Sequence, residues 1–364
     1  MFIGLALALD AMAFGAWYTA SRAYIRDVVG DEAYNFIALL VAFESLPYIL
    51  SPLAGFLGDL HGRRFLAITG GLPRVLLTPL VAFVGLDYML AIVFSVSLLS
   101  VVFYSNLLGL LLWVIKGSGR LYGLVTLAAP LGYGIGSLIP GLLKPLGGYE
   151  LVFLAIGLIE GLAAISLIPV CEAEGSNRAD LRLLYVVARS LPLRLIVAIL
   201  LSNIALTLFW NVMSIRLYEV TGSILLFGLV GGFLTTLAST VARPLAGLLV
   251  DRFGADSILA SVLACYMVYN YLIYNATGLV LVMLWLVPLY PFREVSQVMS
   301  LSRRVPQNLQ GVVAGLLNML WGLSSLTYPL VYVARLGLEG AFILQILALA
   351  VSLALLVWVI VDTT

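Results

Sequence analysis

Residues 52–62 read Pro-Leu-Ala-Gly-Phe-Leu-Gly-Asp-Leu-His-Gly, and residues 244–254 read Pro-Leu-Ala-Gly-Leu-Leu-Val-Asp-Arg-Phe-Gly. The stretches share Pro52/Pro244, Leu53/Leu245, Ala54/Ala246, Gly55/Gly247, Leu57/Leu249, Asp59/Asp251 and Gly62/Gly254 at a constant offset of 192 residues. The same offset, without a gap, aligns Gly119 with Gly311, Gly123 with Gly315, Leu124 with Leu316 and Leu131 with Leu323. Self-similarity at one fixed period marks a duplicated architecture. It divides the chain into 1–171, a linker at 172–191, and 192–364.

Composition says what solvent the two copies occupy. The 364 residues are 63% hydrophobic and 10% charged, with a mean hydropathy of +1.13. A soluble domain carries about 25% charged residues, so this chain cannot cover a water-facing surface and a soluble enzyme is excluded. Its natural partner is a lipid bilayer. The net charge of +1 offers no field for nucleic acid. Two cysteines, Cys171 and Cys265, and one histidine, His61, are too few for a disulfide framework or a multi-histidine metal centre, so no cofactor or metal is expected. The apolar run Met1 to Trp17 carries Asp10 and lacks a basic n-region, which reads as a first span and not as a signal peptide.

Apolar runs bounded by charges, glycine and proline predict twelve spans. The first six lie at 2–22, 34–58, 65–85, 88–114, 122–143 and 150–170; the second six lie at 192–217, 224–250, 257–275, 278–301, 311–334 and 340–361. All should be helices, because an open strand edge in lipid leaves amides unpaired. Between the sixth and seventh spans, Glu172 to Arg189 reads as an interfacial amphipathic helix. The 192-residue offset contains six spans, an even number, so both copies enter the bilayer from the same side. Most loop arginines and lysines, among them Arg63, Arg64, Lys116, Arg120, Arg178, Arg182, Arg303 and Arg304, share the linker's side. The positive-inside rule therefore places both termini in the cytoplasm, in a plasma-membrane protein.

The segment Gly55-Phe56-Leu57-Gly58-Asp59-Leu60-His61-Gly62-Arg63-Arg64, between spans two and three, resembles the loop signature of the major facilitator superfamily, G-x-L-x-D-R/K-x-G-R-R/K. Residues 247–254 are similar to its weaker second-half copy, and Leu60 departs from the pattern where a basic residue is usual. The resemblance implies an all-α membrane protein with twelve transmembrane helices. They would form two pseudo-symmetric six-helix bundles around a cavity that opens alternately to either side. It makes Gly55, Asp59, Gly62, Arg63, Arg64, Gly247, Asp251 and Gly254 a cytoplasmic gate, with Asp59 facing span eleven near Gly311 and Asp251 facing span five near Gly123. A carboxylate at such a helix end can accept hydrogen bonds from the amino end of an entering helix. Ordinary anchoring charges on a positive loop are the structural alternative. Antiporter features are degraded: span four has no arginine, and Ala129-Pro130-Leu131-Gly132-Tyr133-Gly134 meets the fifth-span signature loosely, serving helix packing as readily.

An ionisable group at mid-bilayer costs ~2.5–3.5 kcal/mol on insertion scales, so each needs a reason. Asp10 and Glu44, on spans that line the cavity in this family, are the proton-coupling candidates; their structural alternative is pairing with each other or with Arg74. Glu160 reads as a residue of a supporting span, and Arg293 and Glu294 as a neighbouring pair after the Pro288 and Pro291 bend. Polar residues at helical spacing mark Tyr133, Asn203, Thr207, Asn211, Asn318 and Gln297 as cavity candidates, with interhelical hydrogen bonds as the alternative. The expected function is secondary transport of a small organic or amphipathic solute, with protons as the coupling partner and efflux as the direction, by a monomer. A uniporter or importer of a sugar or metabolite is the first alternative, and a polytopic membrane enzyme the remote one.

Overall fold

The computed structural model describes residues 2–30, 33–171, 189–221, 226, 228–334 and 337–363. Most of the linker, including the expected interfacial helix, lies outside these residues. Among the described residues each of the twelve expected passes is built of helix, in places broken, and nine helices are long and apolar enough to cross a bilayer. Lipid supplies no hydrogen bonds, so each pass closes its own amides.

Span one is Phe2–Val29, and span two runs from Ala33–Ser45 through a 3-10 turn at Leu46–Leu50 into Ser51–His61. Span three breaks into Arg63–Gly71 and Arg74–Leu80, because Pro73 has no amide to donate, and the break leaves Arg74 opening the second piece. Span four is Leu86–Ile115. Spans five and six comprise Gly119–Thr126 and Ala128–Ile165, and the chain reverses at Gly147 and Gly148, where φ reaches −161° and 67°.

Span seven is Leu193–Leu208, a π turn at Phe209–Met213, and Ser214–Thr221; span eight begins with a π turn at Gly228–Leu234 and continues as Thr235–Phe253. Span nine is Ala255–Asn275. Span ten stops at Trp285 and resumes as Tyr290–Ser302, across the proline-bearing stretch that the sequence marks as a bend. Span eleven comprises Gln307–Leu309, Gln310–Ser325 and Thr327–Val333, and span twelve is Gly337–Thr363.

The chain forms two compact units that do not follow the duplication strictly. Unit 1 holds residues 1–114, 125–180 and 307–322; unit 2 holds 115–124, 181–306 and 323–364. Each therefore contains the opening turns of a span that belongs to the other repeat. Inside unit 1, span one packs on span five by backbone approach: a Cβ on Gly132 would stand 2.1 Å from Ala8 O, and one on Gly136 2.0 Å from Met12 O. Trp17 and Phe153, ring centroids 5.6 Å apart, fill the adjoining core. Unit 2 centres on aromatic rings, with Phe209 stacked on Trp285 at 5.3 Å and Trp210 edge-on to Trp285 at 5.5 Å. Large side chains such as Leu76, Leu146 and Val241 point outward, an apolar exterior that only lipid can solvate.

Candidate functional site

The repeated motif ends one helix and starts the next. Gly62 and Gly254 sit between the two helices with φ of 100° and 88°, a region that glycine adopts without strain. In unit 1, Asp59 lies buried with its oxygens facing the start of span eleven. Oδ1 accepts from the Gly311 amide and Oδ2 from the Val312 amide, both at 3.0 Å. Arg63, four residues on, donates from Nε to Asp59 Oδ1 at 2.6 Å and from Nη2 to Asn308 O at 3.1 Å. Helices meet here at backbone distance, and a Cβ on Gly55 would fall 1.9 Å from Gly311 O.

Unit 2 repeats the arrangement with its own copy of each part. Asp251 accepts from the Gly119 and Arg120 amides at 2.8 Å each, and a Cβ on Gly247 would fall 2.2 Å from Gly119 O. Subtracting 192 from Gly311 and Val312 gives Gly119 and Arg120, so the bonding obeys the sequence repeat. The cation differs. Asp251 pairs with Arg303, from the end of span ten, which also donates to Gly117 O at 2.9 Å. Arg64 is partly exposed beside the first copy.

Two acid clusters lie deep in unit 1. Glu44 binds Arg22 through both oxygens, at 2.8 and 2.7 Å, and Trp17 Nε1 donates to Glu44 Oε1 at 2.7 Å. Arg22 is thereby matched one to one, with its guanidinium over the Tyr18 ring at 4.3 Å. Arg74 instead serves two acids, Asp10 at 3.0 Å and Glu160 at 3.4 Å, while Ser100 accepts from it at 3.1 Å and Thr78 donates to Glu160 Oε2 at 2.6 Å. Glu160 is thus tied to the same cation as Asp10, although span six carries it.

The cavity candidates fall into separate contacts. Tyr133 in unit 1 has its ring 5.9 Å from Phe14, and Asn318 donates to Ser105 Oγ at 3.1 Å. In unit 2, Asn203 Oδ1 accepts from Arg293 at 2.5 Å, Thr207 and Ser324 hydroxyls lie 3.3 Å apart, and Gln297 is buried. The side chain of Asn211 lies outside the described residues. Arg293 and Glu294 do not pair. Consecutive helix residues point about 100° apart, and Glu294 turns to Arg243 at 2.5 Å while Tyr122 donates to it at 3.2 Å. Among the described residues no group of three or more acids, histidines and cysteines could hold a metal.

Arg22 and Glu160 lie outside the candidate set read from the sequence, and the structure ties Arg22 to the candidate Glu44 and Glu160 to the cation that Asp10 contacts. The offset carried a usable signal, since Asp10, Arg74, Thr78 and Glu160 map onto Ser202, Tyr266, Asn270 and Ser352, polar positions inside unit 2.

A family profile described as Major Facilitator Superfamily matches residues 2–329. A search of curated proteins finds no match. Solved structures share the fold over 98% of this chain and 97% of theirs. The human organic anion transporter MFSD10 (TETRAN) is similar at 16% identity with a TM-score of 0.76, and a variant of the E. coli fucose:proton symporter FucP at 16% with 0.73. A variant of the nucleoside transporter NupG is similar at 12% identity with a TM-score of 0.66.

Proposed function

Because this chain belongs to the major facilitator superfamily, we propose that it is a secondary transporter that moves a small organic solute by alternating access, coupled to protons. It is an integral membrane protein of the cell membrane that works as a monomer, and the arginine distribution supports an orientation with both ends in the cytoplasm. Alternating access requires residues 307–322 to leave Asp59 and residues 115–124 to leave Asp251, so the two motif contacts act as the cytoplasmic gate. The coupling is exchange, with solute moving out and protons in. A second reading, import or uniport of a metabolite, is favoured by the absence of arginine from span four.

One observation carries the proton coupling: Asp10 and Glu160 share the single cation Arg74. Two carboxylates on one guanidinium leave one negative charge in excess, and a buried excess charge is relieved by taking up a proton. Asp10, on span one, is the carboxylate that movement of span one would separate from Arg74. Glu44, matched by Arg22, has no such excess.

Flux in proteoliposomes with an imposed pH gradient tests this. Asp10→Asn combined with Glu160→Gln should abolish uphill transport and leave solute exchange intact, whereas Glu44→Gln should reduce it less. Unchanged uphill transport in the double variant would remove the coupling role, and inward solute movement with protons would replace efflux by import.

A further inference from the structure

Unit 2 contains a buried arginine with no acid. Arg293 is 2% exposed; its Nη1 donates to Asn203 Oδ1 at 2.5 Å and Ser202 Oγ at 3.3 Å, and its Nε meets no acceptor. Among the described residues no carboxylate reaches it, because neighbouring Glu294 is held by Arg243 and Tyr122. The positions that supply acids in unit 1, Asp10 and Glu160, are Ser202 and Ser352 in the second copy. The duplication has kept a polar interior and exchanged surplus acid for surplus cation.

The surroundings of Arg293 hold further unbonded polar atoms. Asn203 Nδ2, on the side chain that Arg293 donates to, and Asn270 Oδ1, on the cleft that Arg293 lines, are buried without a partner. Native interiors pair nearly all such atoms, so each exception needs a cause. Arg293 lines a narrow cleft with Ser202, Asn270, Phe209 and Tyr266. A second cleft, sharing Phe209 and Tyr266, is walled by Trp210, Tyr269, Trp285 and Tyr290. One end is cationic and the other aromatic.

These walls stand where the helices are irregular: the π turn at Phe209–Met213, the π turn that ends beside Thr235, and the gap between Trp285 and Tyr290. Such turns concentrate at functional sites and let a wall shift without unwinding a span.

We propose that the two clefts, which share the walls Phe209 and Tyr266, open into one binding site for an aromatic organic anion, whose carboxylate pairs with Arg293 and whose ring lies among Phe209, Trp210, Tyr269 and Trp285. Arginine's planar fork matches a carboxylate in two parallel hydrogen bonds. Aromatic side chains hold a flat ring by edge and offset contacts. A neutral solute leaves the cation uncompensated, and a cationic one is repelled by it. The clefts are narrow as they stand, so the ring enters as the irregular turns relax. This proposal names the solute class for the transport reading and rests on that reading for its biological sense.

Calorimetric titration of the purified full chain tests it with two probes of one shape, naphthalene-2-carboxylate and neutral 2-naphthylmethanol. The wild type should bind the carboxylate at least about ten-fold more tightly, since a site with buried charge discriminates against an isostere that lacks the partner. Arg293→Gln should bring the ratio to about one, and Arg293→Lys, which keeps charge and loses the fork, should fall between. The Arg293→Gln protein should also melt no lower than wild type, because a cation without a counter-ion is lost. Should that variant fail to fold, Trp285→Leu provides the second test and should weaken naphthalene-2-carboxylate about five-fold or more. Equal binding of the two probes, no carboxylate binding, or a preference that survives Arg293→Gln would overturn the proposal. Binding is read without a pH gradient, so failure here leaves the coupling role of Asp10 and Glu160 standing, and failure of coupling leaves this site standing.

Discussion

Replacing Arg74 with methionine is expected to destabilise the protein by about 3–5 kcal/mol at neutral pH, the range for stripping one partner from a buried ionic cluster. The substitution roughly conserves apolar volume but abandons Asp10 and Glu160 together, along with the hydrogen bond to Ser100. The sign of the pH dependence follows from the acids. With no cation beside them, two buried carboxylates lack a counter-charge, a penalty that acid removes by neutralising them, so the deficit shrinks as pH falls. Melting curves in detergent across a pH series should show Arg74→Met approaching wild type in acid. Adding Asp10→Asn and Glu160→Gln should restore most of the loss at neutral pH. Parallel curves at all pH values, or no recovery in the triple variant, would mean that Arg74 acts through packing against Phe103, over whose ring it lies at 4.5 Å.

Asp59→Ala should cut transport by a factor on the order of 100, and Asp251→Ala by about 10 or less. A hydrogen bond to a charged group contributes roughly 1.5–3 kcal/mol, and Asp59 makes two to amides as well as pairing with Arg63. Losing several kcal/mol from one state is enough to move a two-state equilibrium by two orders of magnitude. Asp251 makes the same amide bonds, but its side chain is 32% exposed against 0% for Asp59, so water can replace much of what it supplies. Flux assays give the ratio directly. Hydrogen exchange should speed up over residues 307–316 in Asp59→Ala and over 119–126 in Asp251→Ala, each without the other. Equal losses in the two variants would mean that burial does not set their weight.

The family and the helical architecture were legible in the sequence because they rest on coarse signals: composition names the solvent, apolar runs count the passes, and one motif recurs at one offset. The break at Pro288 was read from the sequence, whereas the one at Pro73 fell inside a span expected to run unbroken over 65–85. The π turns at Phe209–Met213 and Gly228–Leu234 carry no such punctuation. Pairing was the least legible level. An apolar pass on all sides gives no hydrophobic face to fix its rotation, so Glu44 could be assigned to span two but not to Arg22, and Glu160 to span six but not to Arg74. Arg293 illustrates the same limit: its nearest acid in sequence points around the helix to Arg243.

The two aspartates recruit their cations differently, and this has a consequence in solution. Arg63 comes from Asp59's own neighbourhood and is sealed with it, whereas Arg303 reaches Asp251 from another span and both remain about a third open. Mobile ions screen an open pair and hardly affect a sealed one. Raising ionic strength should therefore slacken one latch and leave its twin tight, so the duplicated chain would respond lopsidedly to the salinity of the compartment that bathes it.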